Sequence, residues 1–344
     1  MSAKRNGWIG IDIGTRSVKL AQVRRTSSSN FELVASAIVQ RDRTWSPSDL
    51  AASPPRSSIG ELRAAREIAM NCTGRQTACA IPMSLCEVRT LERTSQDESS
   101  IEPLIADELK KIGSSGNYIA DYCTGYDQNH LLAGFLPRRW SDQVASDTDR
   151  SSLDLESVEI SPLTLAHATQ LPSGHTPRSV YAILDWGAST TTLSIVKSGS
   201  SVFARKLPNV SFAQAASNIA TAFELSEDEA ICLLRSTGLP TSHDTPKNVA
   251  QHQNAISAVL SEFNERFRRE LLRTLEFIES RHQEWKPSEV VLFGGGATIP
   301  NICEQISNWI DLPCSKWRFD GCDPAVAPIL GSAIALSTRK WSAR

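Results

Sequence analysis

The feature that most constrains this chain is one short pattern written twice, once in each half. Near the start the sequence reads Trp8-Ile-Gly-Ile-Asp12-Ile-Gly14-Thr15-Arg16-Ser17, followed by Val18-Lys-Leu-Ala-Gln-Val23. The second half reads Val180-Tyr-Ala-Ile-Leu-Asp185-Trp186-Gly187-Ala188-Ser189-Thr190, followed by Thr191-Thr-Leu-Ser-Ile-Val196. Each copy is an apolar strand, an Asp-x-Gly with small hydroxyl residues, and a second strand. That is the pattern of a tight β-hairpin whose glycine lets the backbone approach an anion closely. Successive turn N–H groups and hydroxyls hold phosphate oxygens, and an Asp beside them holds Mg²⁺ through water. Taken alone, Asp-x-Gly also marks an ordinary hairpin turn. Two copies in matching strand contexts point to turns that grip a nucleotide's phosphates from opposite sides.

At 344 residues the chain exceeds one ordinary core, so two lobes are expected. Its 40% hydrophobic and 22% charged residues are those of a soluble globular protein. A net charge of −2 argues against a general nucleic-acid binder. No stretch approaches the ~18 uninterrupted apolar residues of a membrane span. The segment before Trp8 has no apolar signal core, so a cytoplasmic chain that reaches a membrane only through a partner is expected. The eight cysteines have no zinc-site spacing and read as reduced and mostly buried.

Along the chain, the first hairpin is expected to turn again through Thr26–Asn30 into a third strand near Phe31–Val39, and a Pro-containing polar loop covers 41–58. Helical spacing follows over Ile59–Asn71, then a strand at Ala78–Ile81. The texture changes over 83–152: a strand near Cys86–Leu91, a helix over Ile101–Ile112, strands near Tyr118–Tyr126 and His130–Leu136, and a polar helix near Arg138–Asp147. A connecting helix is read over Val158–Gln170, with Pro162 in its first turn. The second half repeats the first, with strands at 180–185, 191–197 and 201–207 and a helix over Phe212–Phe223. Ser226 with Glu229 is a capping box that opens a further helix to Leu234. Residues 241–253 read as loop, and a long amphipathic helix is expected over Ala255–Arg281. Last, the apolar strand Glu289–Phe293 runs into Gly294-Gly295-Gly296 and then a helix, a corner where a flat ligand can lie against bare backbone. No P-loop pattern exists, and Ile299 stands where the dinucleotide fingerprint needs its third glycine.

Phosphate hairpin, phosphate hairpin and adenosine loop, in this order, resemble the actin/hexokinase-like ATPase superfamily. Within it the chain resembles the PilM family of type IV pilus assembly, relatives of the division protein FtsA. The resemblance rests on Gly10–Leu20, Asp185–Leu193, the helix Ile101–Lys111, the helix segment Glu270–Phe277 and the tail Ala327–Leu336, and it covers nearly the whole chain. It implies an α/β fold of two actin-like lobes, duplicated on an RNase H-like plan, with a small α+β insert in the first. Residues 1–82 and 153–178 then form the first lobe, 83–152 the insert, 179–318 the second lobe with a helical subdomain at 226–286, and 319–344 a C-terminal helix returning to the first lobe.

By position the resemblance implies that Asp12 faces magnesium and phosphates, with Gly14, Thr15 and Ser17 as turn contacts. Asp185, Gly187, Ser189 and Thr190 hold the phosphates from the other side, and Asp12 and Asp185 hold Mg²⁺ through water. Gly294, Gly295 and Gly296 floor an adenosine pocket, which Glu270, Arg273 and Thr274 approach from the long helix. Lys19 is a weaker candidate, because a strand residue can face away. The implied cofactors are ATP and Mg²⁺, and the implied partner is the cytoplasmic tail of a PilN-like inner-membrane protein, bound beside the insert. Self-association stays open.

Three departures stand out. Leu207-Pro208-Asn209-Val210-Ser211 replaces a family Gly-Gly step, and Trp186 is large for a phosphate hairpin. Ser161 replaces a carboxylate, leaving Glu159 as the acid to orient an attacking water. They leave two alternatives beside an ATP-binding adaptor: a scaffold that binds no nucleotide, and a small-molecule kinase of the superfamily. The type II secretion relative GspL carries its own membrane span and fits less well.

Overall fold

The computed structural model describes residues 5–27, 30–93, 98–112, 117–123, 130–171, 179–240 and 247–341. The first lobe opens with strands β1 (Arg5–Asn6), β2 (Ile9–Ile13), β3 (Ser17–Arg25) and β4 (Phe31–Gln40). Helices α1 (Pro47–Ala51) and α2 (Ile59–Ile68) lead to β5 (Gln76–Ile81). The insert follows with β6 (Glu87–Glu92), α3 (Ile101–Ile112), β7 (Tyr118–Cys123) and β8 (His130–Pro137). Then α4 (Arg138–Arg150), β9 (Asp154–Ile160) and α5 (Ser161–Ala168) return the chain to the first sheet. The second lobe holds β10 (Val180–Trp186), β11 (Thr191–Lys197), β12 (Ser200–Leu207), α6 (Phe212–Phe223), α7 (Glu227–Thr237), α8 (Lys247–Val259) and α9 (Ser261–Arg281). It ends with β13 (Val290–Phe293), α10 (Ile302–Ile310), β14 (Cys314–Lys316) and α11 (Ala327–Thr338).

The two large sheets share one plan. In the first, β2 pairs antiparallel with β3 and parallel with β5, which pairs parallel with β9. In the second, β10 pairs antiparallel with β11 and parallel with β13, which pairs parallel with β14. The insert is a third antiparallel sheet, ordered β6-β8-β7, with α3 packed on Leu91, Leu131 and Phe135.

Strand alternation decides which residues face which layer. On β2, Ile9, Ile11 and Ile13 enter the first lobe's core with Leu62 of α2 and Trp140 and Val144 of α4. On β10, Ala182, Leu184 and Trp186 enter the second lobe's core. The opposite faces meet a middle layer made of α5 and α11, where Tyr181, Ile183 and Phe293 pack with Leu165, Leu330 and Ile334. Helix α11 is buried on all sides, which suits a helix apolar all round. Its approach to β2 is so close that a Cβ on Gly10 would overlap the Ala333 carbonyl, and one on Gly331 would overlap the Phe293 ring.

Three elements differ from their expected form. Residues 154–160 are a strand, β9, whose parallel pairing to β5 comes from tertiary context rather than strong alternation. The expected loop from 241 gives way to helix α8 from Lys247 onward, and the long helix breaks at Leu260 into α8 and α9. Of the seven cysteines described as free, only Cys79 and Cys86 are buried and Cys232 is exposed. Parts of the expected Thr26–Asn30 turn, the end of the strand expected to reach Tyr126 and the start of the 241 loop lie outside the described residues.

The seam predicts its own sensitivity. Gly10→Ala is expected to lower stability by about 1–3 kcal/mol, because α11 must move off the sheet. Gly60→Ala, on α2 with no heavy atom within 4 Å of the new methyl, is expected to be neutral or slightly stabilising. Denaturant unfolding of both variants checks this; equal midpoints would mean the seam yields freely.

Candidate functional site

Both hairpins close in the same way. Asp12 pairs with Lys19 and Ile13 with Val18 across the first; Asp185 pairs with Thr192 and Trp186 with Thr191 across the second. The Gly14 N–H then donates to the Ser17 carbonyl at 2.9 Å, and the Gly187 N–H to the Thr190 carbonyl at 3.1 Å. A Cβ would lie 2.9 Å from that Ser17 oxygen in one turn and 2.8 Å from the Thr190 oxygen in the other. Glycine is thus required by the closure of the turn itself.

Alternation sends Trp186 away from the cleft. It is buried against Phe212, Phe263 and Phe267, and its Nε1–H donates 3.0 Å to the Val210 carbonyl. The bulk that looked obstructive in the sequence fills the second lobe's core. Gly296 lies beneath this indole, where a Cβ would overlap the ring, so it serves packing and does not line the cleft.

Each turn is braced from behind. The Thr15 carbonyl accepts the Trp45 N–H at 2.9 Å, and the Arg16 carbonyl accepts the Arg41 N–H at 2.8 Å. Arg41 Nε–H donates 3.1 Å to the Gly14 carbonyl, while its guanidinium pairs with Glu61 and lies 3.7 Å from the Trp45 ring centre. In the second lobe the first N–H groups of α6 perform this service: Phe212 donates to Gly187 at 3.0 Å and Ala213 to Ala188 at 2.9 Å. The segment replacing the family Gly-Gly step therefore ends in Ser211, which caps α6 and accepts from the Gln214 N–H.

The turns face each other across a cavity of about 540 Å³, within the usual range for a small-molecule site. Asp12, Gly14, Thr15 and Ser17 line it from one lobe, and Asp185, Gly187, Ser189, Thr190, Gly294 and Gly295 from the other. Gly294 has φ +85, and a Cβ there would come within 2.7 Å of Asp185 Oδ1. Lys19 faces the cleft, its Nζ donating 3.0 Å to Asp12 Oδ2. Phe212, Arg235, Thr298, Val326 and Ile329 extend the cavity beyond the glycines.

Burial raises the Asp185 carboxyl to about 7, the negative charge of Asp12 adds to this, and Lys19 opposes it. A pair of carboxylates that keeps one proton near neutrality is short of positive charge. The pair suits Mg²⁺, which takes one or two carboxylates and completes its shell with water and phosphate oxygens. No cluster of three or more metal-ligating side chains exists among the described residues.

Other expected site residues lie elsewhere. Glu159 Oε2 accepts from Arg339 at 3.0 and 2.6 Å and from Thr164 at 3.2 Å. It turns toward Asp121, whose carboxyl is raised to about 7 by burial and then by Glu159. Ser161, at the replaced carboxylate position, lines the cleft instead. Glu270 accepts from Arg205 at 2.7 Å, and Thr274 Oγ1 from the same guanidinium at 2.6 Å. Arg273 and Thr274 line a separate cavity between α9, β12 and the insert. The face of α9 that carries them is directed at β12, and none of the three lines the cavity between the turns. Sequence reasoning passed over Arg16 and Arg235, which line the cleft, and Arg41 and Trp45, which brace it. Arg16 sits inside the recognised motif; the other three are scattered singly in loop and helix.

Among the described residues no helix is long and apolar enough to cross a membrane. No curated protein matches the chain. By fold it is similar to a PilM–PilN type IV pilus biogenesis complex (TM-score 0.76, 17% identity, 98% of this chain and 99% of that chain). It is also similar to the ethanolamine utilization protein EutJ from Carboxydothermus hydrogenoformans (TM-score 0.58, 14% identity, 97% and 89%). A third likeness is to MreB5 of Spiroplasma citri bound to ADP (TM-score 0.51, 12% identity, 95% and 94%). These likenesses show a two-lobed actin-like fold. The family model of the type IV pilus assembly protein PilM matches residues 141–316, more than half of the sequence. With twin turns on duplicated sheets and this match, the chain belongs to the PilM family of type IV pilus assembly proteins.

Proposed function

We propose that this protein is an ATP- and Mg²⁺-binding adaptor at the cytoplasmic face of a type IV pilus inner-membrane platform, and that it docks the cytoplasmic tail of a PilN-like membrane protein. One observation carries the nucleotide half: two turns with the same closing hydrogen bond oppose each other across one cavity, each with an Asp two residues before its glycine. In this reading Gly14, Thr15, Ser17, Gly187, Ser189 and Thr190 hold the phosphates. Asp12 and Asp185 hold Mg²⁺ through water, which supplies charge neutralisation to the phosphates. Gly294 and Gly295 offer bare backbone to the nucleoside, with Phe212 and Arg235 beyond them.

Hydrolysis is slow at most. In-line attack needs a group that positions water. Among the described cleft residues the carboxylates are Asp12 and Asp185, both committed to the cation, while Glu159 is held by Arg339. Ser161 offers only a hydroxyl there.

The partner half rests on the likeness to a PilM–PilN complex and on a groove of about 710 Å³ beside the insert. Trp45, Leu50, Leu85, Pro137 and Leu207 give it apolar walls, with Arg139 at its side. A short tail with apolar side chains would enter it and leave its charged flank in water.

Calorimetry with Mg·ATP is expected to show binding that Asp12→Ala and Asp185→Ala each weaken by about tenfold or more. No heat from the folded wild-type protein would leave a scaffold with a vestigial cleft. The raised Asp185 pKa has a definite sign. Between the unfolded value of 3.8 and about 7 the folded state holds more protons, so stability falls as pH rises through that window. Asp185→Asn is expected to flatten that component in pH-dependent unfolding. Wild-type affinity for Mg·ATP is expected to drop below pH 7, because the cation needs the ionised carboxylate. For the partner, Leu85→Glu is expected to weaken a fluorescent PilN-like tail peptide by about tenfold in anisotropy titrations while Mg·ATP binding persists. Unchanged peptide affinity would exclude this groove.

A further inference from the structure

At the mouth of the cleft a charge cluster ties one lobe to the other. Arg16, in the first turn, donates from Nη1 to Glu227 Oε1 at 2.8 Å and to Thr44 Oγ1 at 3.0 Å. Its Nη2 donates to Asp228. Thr44 Oγ1 in turn donates 3.0 Å to the same Glu227 oxygen. Glu227 and Asp228 are the first two residues of α7, whose start is held by the Ser226–Glu229 capping box. The acids are therefore presented from a fixed helix end in the second lobe, and the arginine from a turn braced by Arg41 and Trp45 in the first.

Two further observations give the cluster a functional direction. Arg16 also lines the cavity between the two turns, and its side chain is 15% exposed. Arg235, the second guanidinium at that cavity, is held to Thr298 Oγ1 at 2.9 Å, and the two arginines repel each other. Phosphate oxygens between the turns would relieve that repulsion and present Arg16 with an anion of higher charge than either carboxylate.

We propose that Arg16 is a shared latch: it bonds Glu227 and Asp228 across the mouth of the cleft, and nucleotide phosphates compete for the same guanidinium. This rests on the nucleotide reading above and assigns that site a regulatory residue. Phosphate uptake then unfastens one of the ties between the lobes, and the acidic end of α7 acts as an internal competitor of the ligand. The tie is electrostatic and only partly buried, so salt loosens it.

The test is a double-mutant cycle with two readouts. Glu227→Gln/Asp228→Asn removes the competitor and is expected to tighten Mg·ATP binding about two- to fivefold, the range of a partly exposed ion pair. Arg16→Ala removes a phosphate partner and is expected to weaken it. In the Arg16→Ala background the acid-side pair is expected to have no further effect. An acid-side pair that fails to tighten binding, or that tightens it equally without Arg16, overturns the competition. Small-angle X-ray scattering of the nucleotide-free proteins reads the tie itself. A larger radius of gyration is expected for Arg16→Ala and for the acid-side pair than for wild type, and equal radii overturn the latch. If wild type takes up no Mg·ATP, the nucleotide reading and the competition fall together, and the scattering still separates a tie from its absence.

Discussion

The arrangement depends on one close contact, helix α11 lying against bare backbone on the first sheet. Gly10 leaves no side chain between β2 and the Ala333 carbonyl, and Gly331 leaves none between the helix and Phe293 of the second sheet. The helix thus reaches both sheets. The alternation that turns Gly10 toward α11 also turns Asp12 the same way, two residues further on, where the helix begins and the cleft opens. On β10, Ile183 and Asp185 repeat this relation. The seam therefore determines that two distant turns become one site.

The turns are alike in closure and different in support. The first is held by a loop, through Arg41 and Trp45; the second is held by the start of a helix, through Phe212 and Ala213. Rigid bracing suits an electrostatic site, because donors that do not need to reorganise bind charge more strongly than mobile ones. Asp185 carries the cost of this order. Its carboxyl is removed from bulk water beside another carboxylate, and Lys19, bonded to Asp12, partly compensates.

The hairpins were legible because their signal is local: strand alternation, an Asp, a glycine and small hydroxyls within ten residues. The two-lobed plan followed from their repetition. Glu270, Arg273 and Thr274 were not legible in the same way. Their helical spacing says that they share a face, but the face's neighbour is decided by how α9 meets β12, a tertiary matter. Gly296 carried a glycine's usual ambiguity, and only the Trp186 ring above it resolves the residue as packing. Strand β9 was missed because parallel strands are specified by long-range pairing. Arg41 and Trp45 act through a loop whose composition gave no hint of buried work.

The seam also has a consequence in time. Trp8 and Val23 bond to Ser337, so the opening strands of the first sheet are completed by a helix synthesised more than three hundred residues later. Contacts of such sequence separation form late, because a long loop must close before they are rewarded. The second sheet draws its strands and the helices of its outer face from one continuous stretch, 180–316, and waits for the same late helix only on its inner face. A nascent chain therefore holds its first-made sheet covered on its inner face by α5 but not yet by α11 while its second is being assembled. Both sheets are completed by the same late helix, and the strand carrying Asp12, made first, waits longest for it.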